Sequence, residues 1–178
     1  VGGEWLMLGL ARSEKLFGGD AESYVASLEA SVRKNINKAG QLKKNGNALA
    51  TENARVALAV TALGYDARAF AEKDLLAAFA DTAWIENQGN NASAYALLAM
   101  NAKETYLSED QALTEAANKL VASLLKNQKK DGSWAINTGE GDLDTTAMVV
   151  TALAEYRDDQ KAAEAISNAL AYLAGQQK

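Results

Sequence analysis

The stretch Asp144-Thr-Thr-Ala-Met-Val-Val-Thr-Ala-Leu153 is apolar almost all round, and Asn91-Ala-Ser-Ala-Tyr-Ala-Leu-Leu-Ala-Met100 repeats its pattern. Working back towards the amino end, Ala54-Arg-Val-Ala-Leu-Ala-Val-Thr-Ala-Leu63 and Val1-Gly-Gly-Glu-Trp-Leu-Met-Leu-Gly-Leu10 fill the same register. Repeats therefore begin near 1, 54, 91 and 144. A helix that is apolar on every side is one covered on both sides, so each block predicts an inner helix.

Segments of a different character lie between the blocks. Leu113, Ala116, Ala117, Leu120, Val121 and Leu124 recur at i, i+3, i+4, i+7, i+8 and i+11, and Ala162, Ala165, Ile166, Ala169, Leu170 and Leu173 repeat that spacing. A one-sided apolar stripe predicts an outer helix lying against an inner one. Weaker stripes predict two more, over Ala21 to Ile36 and over Ala69 to Phe79. Gly, Asn and Asp collect at Lys15 to Asp20, Ala39 to Asn47, Glu86 to Asn91 and Asp131 to Gly141, which read as loops. Ser108 is the expected N-cap of the third outer helix. The fold expected is all-α: a single domain over 1–178 with eight helices in four inner–outer hairpins.

Composition supports helices on helices and narrows the chemistry. Hydrophobic residues make up 48% of the 178, with Ala abundant and Pro absent. The net charge is −5 and the basic residues are scattered, so the chain lacks the basic patch that nucleic acid requires. There is no Cys and no His, which excludes a disulfide, a thiolate nucleophile, an imidazole base and a Cys/His zinc site. No apolar run approaches the roughly 20 residues of a membrane span. The chain begins with Val, as expected of a piece cut from a longer protein.

The most specific segment is Leu124-Leu-Lys-Asn-Gln128-Lys-Lys-Asp131-Gly132-Ser133-Trp134. It resembles the QW motif of the α/α toroid shared by terpenoid and squalene cyclases, protein prenyltransferase β subunits and the cobalamin carriers transcobalamin and intrinsic factor. Leu124, Gln128, Gly132 and Trp134 match its four fixed positions, and Asp131 begins the common Asp-Gly-Ser-Trp ending. The resemblance implies that Gln128 ties neighbouring hairpins together, that Gly132 permits the turn and that Trp134 stacks under the next inner helix. A second motif starts at Leu173 and Gln177 and stops at Lys178. Family toroids close with five or six hairpins, so four imply an open or incomplete toroid.

The segment Asp142-Leu-Asp144-Thr145-Thr146-Ala147 resembles the acid motif of class II terpene cyclases, in which the middle Asp protonates an alkene or epoxide. Asp142 and Asp144 match the first two acids, and Thr145 replaces the third. The alternative reading makes Asp144 and Thr145 caps of the inner helix. Prenyltransferase zinc chemistry needs Cys and His, and Asn137, Glu140, Asp142 and Asp144 lack the ordered spacing of a calcium loop, so no metal site is expected.

Trp5, Trp84, Trp134, Tyr65 and Tyr95 fall near hairpin ends, where they either line a pocket for a flat or apolar ligand or serve as hairpin-end core; Trp134 reads as structural, Tyr95 is the better pocket candidate, and Trp84 joins it as an expected contact. Arg55, on an apolar inner helix and close to Glu52, is either a paired buried Arg or a contact for an anionic group. Overall the blocks look most like toroid modules of bacterial cell-surface proteins. That likeness implies a secreted or wall-attached, non-catalytic binding module. Its partner would be a small apolar or corrinoid ligand, cobalamin by analogy, or adjacent domains of the same protein, with Tyr95, Trp84, Arg55, Asp142 and Asp144 as contacts. The competing class is an isoprenoid-cyclising enzyme fragment using Asp142 and Asp144.

Overall fold

A computed structural model describes residues 2–13 and 18–177. Among the described residues there are nine α-helices: α1 (Glu4–Arg12), α2 (Gly18–Asn35), α3 (Ala50–Ala62), α4 (Thr82–Glu86), α5 (Asn90–Met100), α6 (Glu104–Ser108), α7 (Gln111–Asn127), α8 (Leu143–Leu153) and α9 (Gln160–Gly175). A hairpin of two-residue strands, β1 (Lys43–Lys44) and β2 (Asn47–Ala48), precedes α3. The fold is all-α. None of the helices is long and apolar enough to cross a membrane. Of the loop expected over Lys15 to Asp20, residues 15–17 lie outside the described residues, and α2 begins at Gly18.

Helices α1, α3, α5 and α8 stand side by side in that order, α7 packs on α5, and α9 packs on α8. Their contact surfaces are largely Ala: Ala50, Ala54 and Ala57 of α3 and Ala92, Ala96 and Ala99 of α5 are all buried. Small side chains let helix axes come close, towards the ~8 Å end of the usual range. The middle helices α3 and α5 are covered as expected. The outermost inner helix α1 is not, since Trp5 and Leu6 are 46% and 64% exposed. Its main contact among the described residues is with α3.

The outer helix expected over Ala69 to Phe79 does not form. Ala71 and Glu72 adopt left-handed backbone, φ 56° and 60°, and a 3-10 turn at Ala77–Ala80 is the sole helical element of that stretch. Two aspartates account for the break. The Asp66 carboxylate accepts from the Arg68 amide at 2.9 Å, and the Asp74 carboxylate accepts from the Leu76 and Ala77 amides at 2.8 and 3.0 Å. Such local side-chain bonds offer the backbone an alternative to the helix ladder. The apolar residues are buried all the same: Phe70, Leu75, Leu76 and Phe79 enter the core. The buried Tyr106 hydroxyl of α6 fixes this loop, accepting from the Ala67 amide at 2.8 Å and sharing a hydrogen bond with Thr61 Oγ1 at 2.9 Å. A second correction concerns α7, whose N-cap is Asp110 rather than Ser108. Asp110 is extended and its carboxylate accepts from the Leu113 amide at 3.1 Å, whereas Ser108 closes α6.

The motif segment makes a compact corner between α7 and α9. Gln128 follows the last turn of α7 and its Nε2 donates to the Ala165 carbonyl of α9 at 2.7 Å and to the Gly132 carbonyl at 3.0 Å. Asp131 accepts from the Ser133 hydroxyl and amide, which holds its carboxyl below the usual range. Trp134 is fully buried, its indole donating to the Leu124 carbonyl at 2.8 Å. The residues 36–42 repeat this corner without its sequence. Lys129 and Gly132 amides bond Ser133 and Lys129 carbonyls; Asn37 and Gly40 amides bond Gln41 and Asn37 carbonyls in the same way. Gly40 and Gly132 both have positive φ, 76° and 87°. In each corner a polar side chain of the following inner helix accepts the next amide: Thr146 from Trp134 at 3.0 Å, Asn53 from Leu42 at 2.7 Å. This register pairs Asn53 with Thr146, whereas blocks starting at 54 and 144 would set Asn53 opposite Leu143.

Gly132 cannot be replaced without moving α9, because a Cβ there would lie 2.4 Å from the Asn168 carbonyl oxygen. Gly46 has the same backbone sign, φ 84°, but open space around it. Gly132→Ala should lose roughly 4 kcal/mol by urea denaturation, and Gly46→Ala about 1–2 kcal/mol. Equal losses would mean that α9 does not rest on the corner. Tyr106→Phe leaves the Ala67 amide without its acceptor and should lower stability by about 1–3 kcal/mol in the same assay; an unchanged midpoint would show that the loop does not hang on this hydroxyl.

Candidate functional site

Trp5, Thr51, Asn91 and Asp144 are each the second residue of an inner helix, and Arg55, Tyr95 and Met148 each lie four residues further on. Residues at i and i+4 share a helix face. In consequence Trp5, Thr51, Glu52, Arg55, Asn91 and Tyr95, drawn from three helices, line one cleft of about 230 Å3. The Trp5 and Tyr95 rings meet across α3, centroids 5.6 Å apart and planes inclined at 42°. They form one bent aromatic wall rather than a clamp.

The floor of the cleft is a charge network. Arg55, 17% exposed, pairs with Glu52 on its own helix, and its Nε lies 3.4 Å from a carboxylate oxygen of Glu4, which is buried. The Glu4 contact is an ion pair without an aligned hydrogen bond, since Arg55 Nε has no acceptor in line. Glu52 also meets Lys44 at 3.3 Å. Two carboxylates and two cations cancel. Removing one member of such a set leaves an uncompensated buried charge, which is the costly outcome. Arg55 is therefore the paired, partly buried arginine of the two readings its sequence position allows. Behind the network, the enclosed Tyr24 hydroxyl has no hydrogen-bond partner. Its burial, and then the neighbouring Glu4 carboxylate, push its pKa up to about 12, against a smaller opposing effect of Arg55.

The expected site residues separate into three groups. Tyr95 and Arg55 come together in the cleft. Asp144 continues the same row on α8 but is exposed and outside the cleft. Asp142 caps α8, its carboxylate accepting from the Thr145 amide at 2.7 Å, while Thr145 itself is buried. So the cap is Asp142, not Asp144 or Thr145. Trp84, on α4, is half-buried against the core and lines no part of the cleft. Among the described residues no acidic cluster is arranged to hold a metal ion.

Thr51, Asn91 and Glu4 were not singled out by the sequence. For Thr51 and Asn91 the available signal was positional: a polar residue at the second position of an otherwise apolar helix, four before Arg55 or Tyr95; Glu4, the first residue of α1, carried no such signal. No family model, curated protein or solved structure matches the chain.

The Tyr24 hydroxyl generates a test. A phenol whose folded pKa lies above its unfolded value of about 10 keeps its proton after the unfolded chain has lost it. Stability should then fall as pH rises from the unfolded value towards about 12. Tyr24→Phe removes both this dependence and an unpartnered polar atom, so it should match or exceed the parent at pH 8 and hold its Tm better above pH 10. Parallel Tm curves for the two proteins across that range would refute the placement of the hydroxyl.

Proposed function

We propose that this chain is a non-catalytic binding module whose ligand seat is the cleft floored by Arg55 and walled by Trp5 and Tyr95. The observation that carries this reading is the nearly half-exposed Trp5, held against Tyr95 over a polar floor. An indole left open to water beside buried polar groups is the surface a ligand covers. The absence of His and Cys supports binding over catalysis. So does the acid pair: Asp142 serves as a helix cap, and Asp144 faces water, whereas protonating an alkene calls for an acid in a dry, sharpened setting. The resemblance to toroid modules of cell-surface proteins adds a secreted or wall-attached setting to the proposal. A corrinoid is larger than the cleft, since drug-sized molecules already occupy roughly 300 Å3 or more. As ligand it would lie across the open inner face, on Trp5.

The test uses Trp84→Phe protein, in which Trp5 is the remaining solvent-facing indole. Cobalamin and a library of small ring compounds are titrated against it, by tryptophan emission and by ligand-detected NMR. Saturable binding that disappears in Trp5→Ala is the expected result. A library without one Trp5-dependent binder would sink the reading, and turnover of an isoprenoid abolished by Asp144→Asn would replace it with an enzyme.

A further inference from the structure

The geometry points to a neutral pyranose, free or at the end of a glycan, as the chemical class that fits this cleft; the assignment rests on the binding reading above and goes beyond it. Three properties converge. The first is size. A cavity of ~150 Å3 holds a benzene-sized molecule, so about 230 Å3 takes a six-membered ring together with its substituents.

The second is charge. Glu4 and Glu52 are balanced by Arg55 and Lys44, each carboxylate within ion-pair distance of a cation. Of these four only Glu52 and Arg55 line the cleft, and they pair with each other, so neither is left over for an ionic ligand and a neutral one is the match.

The third is the hydrogen-bonding inventory. Among the described residues, no hydrogen bond within the protein engages the Trp5 indole N–H, the Thr51 hydroxyl, the Asn91 side-chain NH2 or the Tyr95 hydroxyl, and all four residues line the cleft. These groups supply donors and acceptors in mixture beside an exposed indole face. A pyranose is the complement: hydroxyls around its rim both donate and accept, and its C–H faces are apolar enough to lie on an aromatic ring. A purely aromatic ligand would cover Trp5 but leave the Thr51 and Tyr95 hydroxyls unmet. An extended peptide would need a groove longer than this pocket.

The experiment keeps the Trp84→Phe background. Glucose, galactose and N-acetylglucosamine, each as monomer and β-linked trimer, are compared with phenol and with a proline-rich decapeptide, by saturation-transfer NMR and Trp5 emission. At least one saccharide is expected to bind saturably, with a loss of about tenfold or more in both Trp5→Ala and Asn91→Ala, and with a trimer that binds better than its monomer if the source is a glycan. Asn91→Ala should also keep or raise the Tm, because it removes an acceptor with no partner, and so it serves as the variant whose folding is not in question. If phenol or the peptide binds through Trp5 and no saccharide does, the pyranose assignment falls and the binding module stands. Saccharide binding that survives both substitutions places the sugar elsewhere and overturns the assignment. If nothing touches Trp5, both readings fall.

Discussion

Each inner helix whose approach loop can be compared begins with a polar side chain that takes hold of that loop. Asn53 and Thr146 sit in the first turn of α3 and α8 and accept the amides of Leu42 and Trp134. Both are fully buried, so an unmade bond there would strand a donor in the core, at about 1–3 kcal/mol each. Everything else in the corner follows from that anchor. With Trp134 fixed, its indole reaches the Leu124 carbonyl at the end of α7. The chain must then turn back within a few residues, which Gly40 and Gly132 permit through positive φ. Asn53 does more than Thr146, since its amide also donates to the carbonyls of Gly40 and Leu75. It joins the first corner to the loop that stands where an outer helix was expected.

The contacts between repeats use the same logic at longer range. Gln128 donates into α9, Asn90 donates to the Ala135 carbonyl and accepts from Asn127, and the Gln88 side chain accepts the Ala50 amide at the start of α3. Two of these bonds satisfy main-chain groups that would otherwise face the interior, the Ala135 carbonyl in its loop and the Ala50 amide at a helix start. The starts of α3 and α5 are therefore held by neighbouring repeats as well as by their own, and the face that carries Thr51, Arg55, Asn91 and Tyr95 is set as a unit.

The cleft depends on how closely those helices stand. Trp5 and Tyr95 belong to helices separated by α3, yet their rings touch. Alanine along α3 and α5 makes that possible, because a row of larger residues would push the axes apart and open the wall. The same closeness brings Glu4 of α1 onto Arg55 of α3, burying Glu4 and partly burying Arg55 beside the Tyr24 hydroxyl. Aromatic wall and neutralised floor are thus two consequences of one packing choice.

From the sequence alone came the all-α class, the inner helices, the outer helices α2, α7 and α9, and the corner at Gln128 to Trp134. These rest on local rules: apolar period, helix propensity, and a glycine where the chain must turn. The sequence also pointed to Tyr95 and Arg55. Three things were beyond its reach. The segment at 69–79 has a helical stripe, but Asp66, Asp74 and the distant Tyr106 hydroxyl hold it as a loop, and no periodicity encodes a bond from 39 residues away. The pairing of Asn53 with Thr146 was hidden because a slip of three residues, nearly one helical turn, leaves an apolar face almost unchanged. The cleft itself was hidden because Trp5, Thr51 and Asn91 are far apart in the chain and are gathered only when three helices pack. Local pattern specifies what each helix is; which residues of different helices meet is decided by packing distance, and that exists only in the folded stack.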